Sequence, residues 1–186
     1  LHWYYVAKKS KTFSNYLAAG DGGDEVFGGY TFRYAKFLSL TNSKSSVLEK
    51  TQAYLKCHER DSVKDQESIF GKKISFNWNF IYEQISSNFD NNLSSLDQVF
   101  LADYNGKLMN NFSPINHKIN DYFELTSITP LLSNKLISYA TTLDPNQKYS
   151  NTKTFADRML SISADVSAKK LAAPAEQDKD FKYEGK

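Results

Sequence analysis

A glycine-rich acidic loop is the part of the chain whose residue types could do chemistry. It reads Ala-Gly-Asp-Gly-Gly-Asp-Glu over residues 19–25 and continues Val-Phe-Gly-Gly-Tyr to residue 30. Glycines let backbone N–H groups approach a ligand closely, and such a loop at the start of a helix favours anions. The carboxylates of Asp21, Asp24 and Glu25 would repel a bare phosphate, so a divalent cation between carboxylates and phosphates reconciles the two features. The loop therefore indicates Mg²⁺–phosphate binding.

Other motifs of similar composition do not fit the spacing of this loop. An EF-hand that starts at Asp21 needs an oxygen ligand at Gly23 and a glycine at Val26. A nucleotide-binding P-loop needs Gly-Lys-Ser/Thr, which the sequence lacks, and the dinucleotide fingerprint needs a glycine at Glu25. A capped turn with solvated acidic side chains stays open as the alternative, since glycine and aspartate are common turn residues.

The elements around the loop must hold it at the end of a strand. The apolar stretch over residues 16–19 predicts a strand of the parallel type. After the loop, apolar residues recur at helical spacing, at Val26, Phe27, Tyr30, Tyr34, Phe37 and Leu38. The local unit is therefore predicted as strand, turn and one helix, with Asp24 as the helix N-cap. A lone strand needs neighbours, and we expect these to lie before Leu1.

The rest of the chain is predicted to be mostly helical. The amphipathic pattern over residues 47–60 predicts a helix that turns Val47, Leu48, Tyr54 and Leu55 inward, after a polar break at 41–46. Residues 61–75 are expected to be irregular, and the aromatic stretch 76–85 to dock against a helix. The strongest helical periodicity covers residues 93–112. Further helices are expected from Pro130 and, with Thr152 as N-cap, around Phe155 and Met159.

Composition and charge limit the class of protein. The chain has 186 residues, 40% of them hydrophobic, which suits one folded domain. Lys plus Arg is 23 and Asp plus Glu is 21, and a net charge of +2 argues against a nucleic-acid binder. A single cysteine excludes a disulfide framework and a multi-thiolate zinc site. No apolar run reaches the roughly 20 residues of a membrane span. The chain starts at Leu1, and we expect it to be part of a longer protein.

The loop and a second block together resemble the synthetase domain of the asparagine synthetase family. The usual family signature is Ser-Gly-Asp/Glu-Gly-Gly/Ser-Asp-Glu-Leu/Ile-Phe-Gly-Gly-Tyr. The eleven consecutive positions from Gly20 to Tyr30 align with it, with Val26 at the Leu/Ile position. The second block, residues 108–149, aligns without gaps with the family region that ends in Arg-x-Pro-Phe-Leu-Asp. Pro130 and Leu132 take its Pro and Leu positions.

The resemblance implies a fold and an activity. The fold is α/β, and this chain would be the C-terminal, mostly helical part of an adenine-nucleotide-hydrolase-like (PP-loop) domain with a parallel sheet. Residues 1–168 would belong to that domain, and 169–186 would form a polar, flexible tail. The family uses ATP and Mg²⁺ to convert aspartate to asparagine through β-aspartyl-AMP. Ammonia comes from glutamine through an N-terminal glutaminase domain. The missing secretion signal suggests the cytoplasm, and a homo-oligomer stays open.

The same resemblance implies roles for single residues. It assigns binding of the nucleotide and its metal to Ala19, Gly20, Gly22, Gly23, Asp24 and Glu25. Asp21 takes the position of a carboxylate important to the acyl-adenylate step. Asp24 takes that of the carboxylate that holds Mg²⁺ and pyrophosphate. Lys170, in a Lys-rich stretch near the C-terminus, is the candidate for the catalytic lysine that helps to neutralise the pyrophosphate.

The sequence also departs from the family pattern. In place of the family's residues it has Ala19 for Ser, His117 for Asp, Asn120 for Ser, Thr126 for Glu, Ile128 for Arg and Ser133 for Asp. The given sequence contains no Ser-Gly-Gly-x-Asp-Ser pyrophosphate loop, so we expect these residues alone to be inactive. Two alternatives follow. One is a related ATP-pyrophosphatase that makes another amide or a lactam. The other is a non-catalytic helical interaction module.

Overall fold

A computed structural model describes residues 2–58, 63–70, 77–150 and 164. Over these residues the chain is mostly helical with a small parallel sheet, as predicted. In chain order the elements are α1 (His2–Ser10), β1 (Tyr16–Ala18), α2 (Gly23–Phe27), α3 (Thr31–Leu40), α4 (Val47–Cys57), α5 (Val63–Phe70), α6 (Trp78–Ser86), α7 (Ser95–Ala102), a π-helical segment (Asp103–Phe112), α8 (Ser113–Tyr122), β2 (Thr126–Ile128), a 3₁₀ turn (Pro130–Leu132), α9 (Asn134–Thr142) and α10 (Pro145–Lys148). None of the helices in these ranges is long and apolar enough to cross a membrane.

The sheet consists of β1 and β2, which pair in parallel with Leu17 opposite Ser127. The strand before the loop and its parallel type are therefore confirmed. The expectation that its neighbours lie before Leu1 is wrong for β2, which lies more than 100 residues further along the same chain. The three residues of β2 are too few to show an alternating pattern, so the sequence did not reveal the strand.

Two short helices replace the single helix predicted after the loop. Gly28 adopts a left-handed conformation with φ of 75° and ends α2. A Cβ at Gly28 would lie 2.5 Å from the backbone oxygen of Lys148, so only glycine fits there. The prediction of Asp24 as N-cap is also wrong, because Gly22 occupies that position with φ of 89°. Asp24 is instead the second residue of α2.

The larger hydrophobic core lies between α3, α4 and α7. Its largest side chains include Tyr34, Phe37 and Phe100, and the rings of Phe37 and Phe89 stack at 5.7 Å. A second cluster joins α2 to α9 through Val26, Phe27, Ala140 and Leu143. Because α2 belongs to this second cluster, the packing of α9 fixes the position of the loop.

Several other predicted helices can be compared with the observed ones. The helix from Val47 is confirmed, but Leu48 is exposed instead of buried, and Tyr54 carries the inward face with Thr51 and Ala53. Residues 63–70 are helical and not irregular. The helical pattern over 93–112 is confirmed for α7, after which the backbone widens into the π-helical segment. The helix predicted from Thr152 lies outside the described residues.

Candidate functional site

The glycine-acidic loop, residues 19–25, leads from the end of β1 into α2. The Ala19 N–H donates to the Ile128 carbonyl at 2.9 Å, which extends the sheet into the first residue of the loop. The Gly23 N–H then donates to the Gly20 carbonyl at 3.2 Å and closes a tight turn. The loop is thus tied to β2 at its start and to α9 through α2 at its end.

Gly22 and Gly20 play different parts in this turn. Gly22 is buried, has a positive φ, and a Cβ there would collide with the side chain of Leu132, whose Cγ would be 2.9 Å away. No other residue fits at Gly22 without strain. A Cβ at Gly20 would meet nothing within 4 Å. Gly20 is thus uncrowded, and it also lines a cavity beside the loop.

Asp21 lies on the wall of two cavities. The smaller, which we call the loop cavity, has a volume of about 210 Å³ and is lined by the loop together with Tyr30, Leu108 and Phe112. The larger, the strand-end cavity, measures about 370 Å³ and opens beside the ends of both strands. Asn116 of α8 donates through Nδ2 to Asp21 Oδ2 at 3.0 Å and orients the carboxylate. One carboxylate is therefore shared by two adjoining cavities.

Asp24 presents an exposed carboxylate to the loop cavity. Its side chain lies against Gly29, where a Cβ would collide with Asp24 Oδ1. Its backbone carbonyl accepts hydrogen bonds from the Gly29 N–H at 2.9 Å and from the Tyr34 hydroxyl at 3.3 Å. The backbone of Asp24 is thus fixed while its carboxylate stays available at the surface.

Glu25 is the carboxylate of the loop that points inward. It is only 4% exposed and accepts a hydrogen bond from the Tyr30 hydroxyl at 2.6 Å. The ammonium of Lys107 lies 3.7 Å from Glu25 Oε1 and 3.4 Å from the centre of the Tyr30 ring. Glu25 is therefore held by one hydroxyl and one cation beneath the loop, and these contacts anchor α2 to the π-helical segment.

Burial shifts the pKa values of the two residues that hold Glu25, Lys107 and Tyr30. It lowers the pKa of Lys107, helped by the nearby Arg33 and opposed by Glu25. It raises the pKa of Tyr30 far above the usual value, and the hydrogen bond to Glu25 acts in the same direction. Tyr30 therefore keeps its proton and stays a donor to Glu25 over the whole working range of pH.

A second buried carboxylate, Asp103, starts the π-helical segment and is 1% exposed. The Tyr54 hydroxyl donates to Asp103 Oδ1 at 2.9 Å, and His58 Nε2 lies 3.4 Å from the same oxygen. Burial raises the pKa of Tyr54, and the charge of Asp103 raises it further. Asp103 thus ties α4 to the segment that carries Lys107.

The carboxylates around the loop limit the way in which a metal ion could be held. No group of three or more His, Cys, Asp or Glu side chains within the described ranges is arranged to hold an ion. Mg²⁺ is usually held by one or two protein carboxylates, with phosphate oxygens and water completing the shell. The exposed Asp24 and the cavity-lining Asp21 fit such a phosphate-dependent site, whereas the inward Glu25 has Oε1 engaged by Tyr30 and Lys107.

The residues that replace family side chains lie at different places. Thr126 and Ile128 are on the exposed face of β2, and Ser133 is exposed before α9. None of these three lines the strand-end cavity. Their neighbour Ser127 does, since alternate residues of a strand face opposite sides.

Asn120 and His117 of α8 do line the strand-end cavity. Asn120 is 2% exposed, accepts from Trp3 Nε1 at 3.0 Å and donates to Ser127 Oγ at 2.6 Å. It joins α1, α8 and β2 in one buried network. His117 is exposed and lies 3.4 Å from Asp121 Oδ2. No Lys or Arg of the described residues lines this cavity, so its wall is neutral apart from Asp21 and His117.

The structure brings together all the predicted loop residues, Ala19 to Glu25, whereas Lys170 lies outside the described residues. Sequence reasoning missed Asn116, Tyr30 and Lys107 as partners of the acidic loop. No signal could have revealed Asn116, which is 95 residues from Asp21. The Tyr30–Glu25 contact spans five residues, and the aromatic after Gly-Gly was a usable local signal.

Comparison with known proteins identifies the family to which the chain belongs. The family model described as asparagine synthase matches residues 1–158, and the chain therefore belongs to the asparagine synthase family. No curated protein and no solved structure gives a match. Membership supports an enzyme of the ligase type that forms an amide at the expense of ATP, in asparagine and amino-acid biosynthesis.

Proposed function

We propose that this chain, as a member of the asparagine synthase family, forms the C-terminal part of a synthetase that converts aspartate to asparagine. The β-carboxylate of aspartate attacks the α-phosphorus of ATP, a carbon–oxygen–phosphorus link forms, and pyrophosphate leaves. Ammonia then attacks the acyl carbon of β-aspartyl-AMP, and AMP leaves with the electron pair of the broken C–O bond. The proposed setting is an adenine-nucleotide-hydrolase-like (PP-loop) domain in a longer, glutamine-dependent cytoplasmic protein.

The loop residues carry the phosphate side of this proposal. The open side of Gly20 leaves room for phosphate oxygens to approach the backbone. Asp24 would hold Mg²⁺, which when bound neutralises the charge of the departing pyrophosphate. Helix α2 has only five residues, so its dipole adds little, and the carboxylates with their metal carry the argument. Glu25 keeps the loop in place through Tyr30 and Lys107.

The observation that carries the proposal is the place of Asp21 between the two cavities. In the loop cavity it is near the expected phosphates. In the strand-end cavity it faces the space left for the acceptor. A carboxylate at this junction is suited to orient ammonia or the amine of the acceptor beside the reacting acyl-phosphate, with Asn116 as its positioning residue. Lys170 would add a cation for the pyrophosphate.

The test is isotope exchange between pyrophosphate and ATP in the whole protein that contains this chain. We expect exchange that depends on aspartate, and its loss of at least about 100-fold in Asp24→Asn. Asp90→Asn is the matched control, since Asp90 is an exposed carboxylate that lines neither cavity. Exchange that persists in Asp24→Asn would contradict the proposed role of the loop.

A second candidate is supported by the neutral wall of the strand-end cavity. Aspartate keeps an α-carboxylate after activation, and no Lys or Arg of the described residues lines the cavity to receive it. This favours a related ATP-pyrophosphatase whose acceptor has a neutral or amine-bearing end, and whose product is another amide or a lactam. Exchange stimulated by such a monocarboxylate and not by aspartate would select this candidate. A protein that binds no Mg-ATP at all would instead fit the interaction module.

A further inference from the structure

Lys148 is a buried cation that the proposed synthetase chemistry does not use. It ends α10, is 5% exposed, and its ammonium lies 4.6 Å from the centre of the Phe100 ring. No side chain or carbonyl of the described residues accepts a hydrogen bond from it. Burial lowers its pKa, and the charge of Asp97 opposes this shift. With a ring as its close partner among the described residues, the ammonium keeps its hydrogen-bond donors available to a further group.

Lys148 lines a third cavity, which we call the lysine cavity. It has a volume of about 370 Å³, within the range of small-molecule sites, and lies between α2, α7, α9 and the π-helical segment. Most of its wall is apolar, with Val26, Leu101, Ile137 and Leu143 among the contributing side chains. An apolar cavity with one convergent cation matches a ligand that has an apolar body and one anionic group.

The two carboxylates on the wall limit the charge of that ligand. Glu25 is already paired with Lys107 and Tyr30, and Asp97 accepts a hydrogen bond from the Ser94 hydroxyl at 2.7 Å. Neither neutralises Lys148 at hydrogen-bond distance, yet both repel a second negative charge. A dianion or a phosphate ester is therefore disfavoured, and a single carboxylate fits the one ammonium.

We propose that the lysine cavity binds a small monocarboxylate with an apolar body, and that Lys148 pairs with its carboxylate. The apolar body lies among Val26, Ile137 and Leu143, so the ligand contacts both α2 and α9. Glu25 lines both the lysine cavity and the loop cavity, so the new site adjoins the phosphate side without sharing its open surface.

Isothermal titration of the full chain with three six-carbon probes tests this site. Hexanoate has the predicted charge, hexanamide has the same shape without charge, and adipate has a second carboxylate. We expect saturable binding of hexanoate, at least about tenfold tighter than hexanamide, because a charge-assisted hydrogen bond is lost in the amide. Adipate is expected to bind more weakly than hexanoate, since its second carboxylate would lose its water among apolar side chains.

Two variants assign the effect to Lys148. Lys148→Met keeps the length of the side chain and should abolish the preference for hexanoate over hexanamide. Lys148→Arg keeps the cation and should preserve the preference, which separates loss of charge from loss of fold. Lys135→Met removes an exposed lysine of α9 and is the matched control. Equal binding of acid and amide, no binding of either, or an unchanged preference in Lys148→Met would overturn the proposal.

Discussion

The glycine-acidic loop and the wall of the strand-end cavity share the Asp21 carboxylate, but the side chains that support them differ in charge. Beneath the loop, Glu25 is compensated by the ammonium of Lys107 and the hydroxyl of Tyr30. On the cavity wall, Asn120 joins Trp3 and Ser127 without any formal charge. The loop side is thus suited to hold charged phosphates, whereas the wall is suited to recognise neutral polar groups.

This difference suggests which half of the chemistry the chain has kept. The loop keeps the family signature through Gly20 to Tyr30, whereas the block that contributes the wall departs at several positions. A site can retain activation by ATP while its acceptor changes, because the two halves lie on separate elements. If the two regions differ as their contacts imply, substitutions in each should differ in their effects on stability and on its pH dependence.

The largest effect is expected at Gly22. Gly22→Ala places a Cβ against Leu132 at a positive φ and should lower the free energy of unfolding by about 4 kcal/mol. Gly20→Ala is the matched variant, and it should change stability by no more than about 0.5 kcal/mol because its Cβ meets nothing. Urea denaturation of both measures the difference. Equal losses in the two variants would mean that the turn is not held as described.

The buried support of the loop is the next test. Asp103→Ala leaves the Tyr54 hydroxyl without its acceptor and should cost about 3 kcal/mol of unfolding free energy. Asp21→Ala removes a carboxylate of the cavity wall and should cost less than about 1 kcal/mol. Thermal and urea unfolding of the pair provide the comparison. If Asp21→Ala were the more destabilising variant, Asp21 would be part of the structural support and not a ligand-facing group.

Substitutions in the neutral wall of the strand-end cavity should lower the free energy of unfolding by a smaller amount. Asn120→Ala leaves the Trp3 N–H and the Ser127 hydroxyl without a partner and is expected to cost about 2 kcal/mol. Asn116→Ala should cost less, since its side chain has one hydrogen bond among the described residues, to the Asp21 carboxylate. Denaturation curves give both values. An Asn120→Ala variant as stable as the wild type would contradict a stabilising role for the hydrogen bonds of Asn120 to Trp3 and Ser127.

The smallest effect is the dependence of stability on alkaline pH that Lys107 gives to the loop side and that the neutral wall lacks. The pKa of Lys107 is lowered in the folded chain, so between that value and the ordinary lysine value of about 10.4 the unfolded chain binds more protons. Wild-type stability should therefore gain relative to Lys107→Met as pH rises from about 8 to 10, by less than about 1.4 kcal/mol per pH unit.

Asn120→Ala supplies the control for this pH series, because it alters the wall without changing a charge. Its stability curve should run parallel to that of the wild type between about pH 8 and 10. Urea midpoints at each pH provide the measurement. A Lys107→Met curve that is also parallel to the wild type would show that the buried ammonium is not strained by folding.

Whether an element could be predicted from the sequence depends on the sequence separation of the contacts that form it. The strand before the loop follows from four adjacent apolar residues, and α7 follows from its periodicity. The break at Gly28 could not be predicted from spacing, because the apolar residues continue in helical register across it. Its cause is a close approach to the backbone of Lys148, which is 120 residues away.

The candidate site also has parts that follow from local sequence and parts that depend on long-range contacts. Its loop residues follow from a continuous stretch whose glycines and carboxylates have local meaning. The inward direction of Glu25 does not, since it depends on Lys107 in the π-helical segment. The strand-end cavity depends on β2, whose three residues give no pattern of their own. Long-range pairing therefore decided which of the three carboxylates stayed available to a ligand.

The central claim is that Asp24 and Asp21 serve ligands while Glu25 serves the fold. Calorimetric titration of the whole protein that contains this chain with Mg²⁺ and pyrophosphate tests it most directly, with Asp24→Asn, Glu25→Gln and Asp90→Asn compared under the same conditions. We predict binding in the wild type and in Asp90→Asn, at least tenfold weaker binding in Asp24→Asn, and lower stability in Glu25→Gln. Unchanged affinity in Asp24→Asn would contradict the assignment of the loop to the phosphate side.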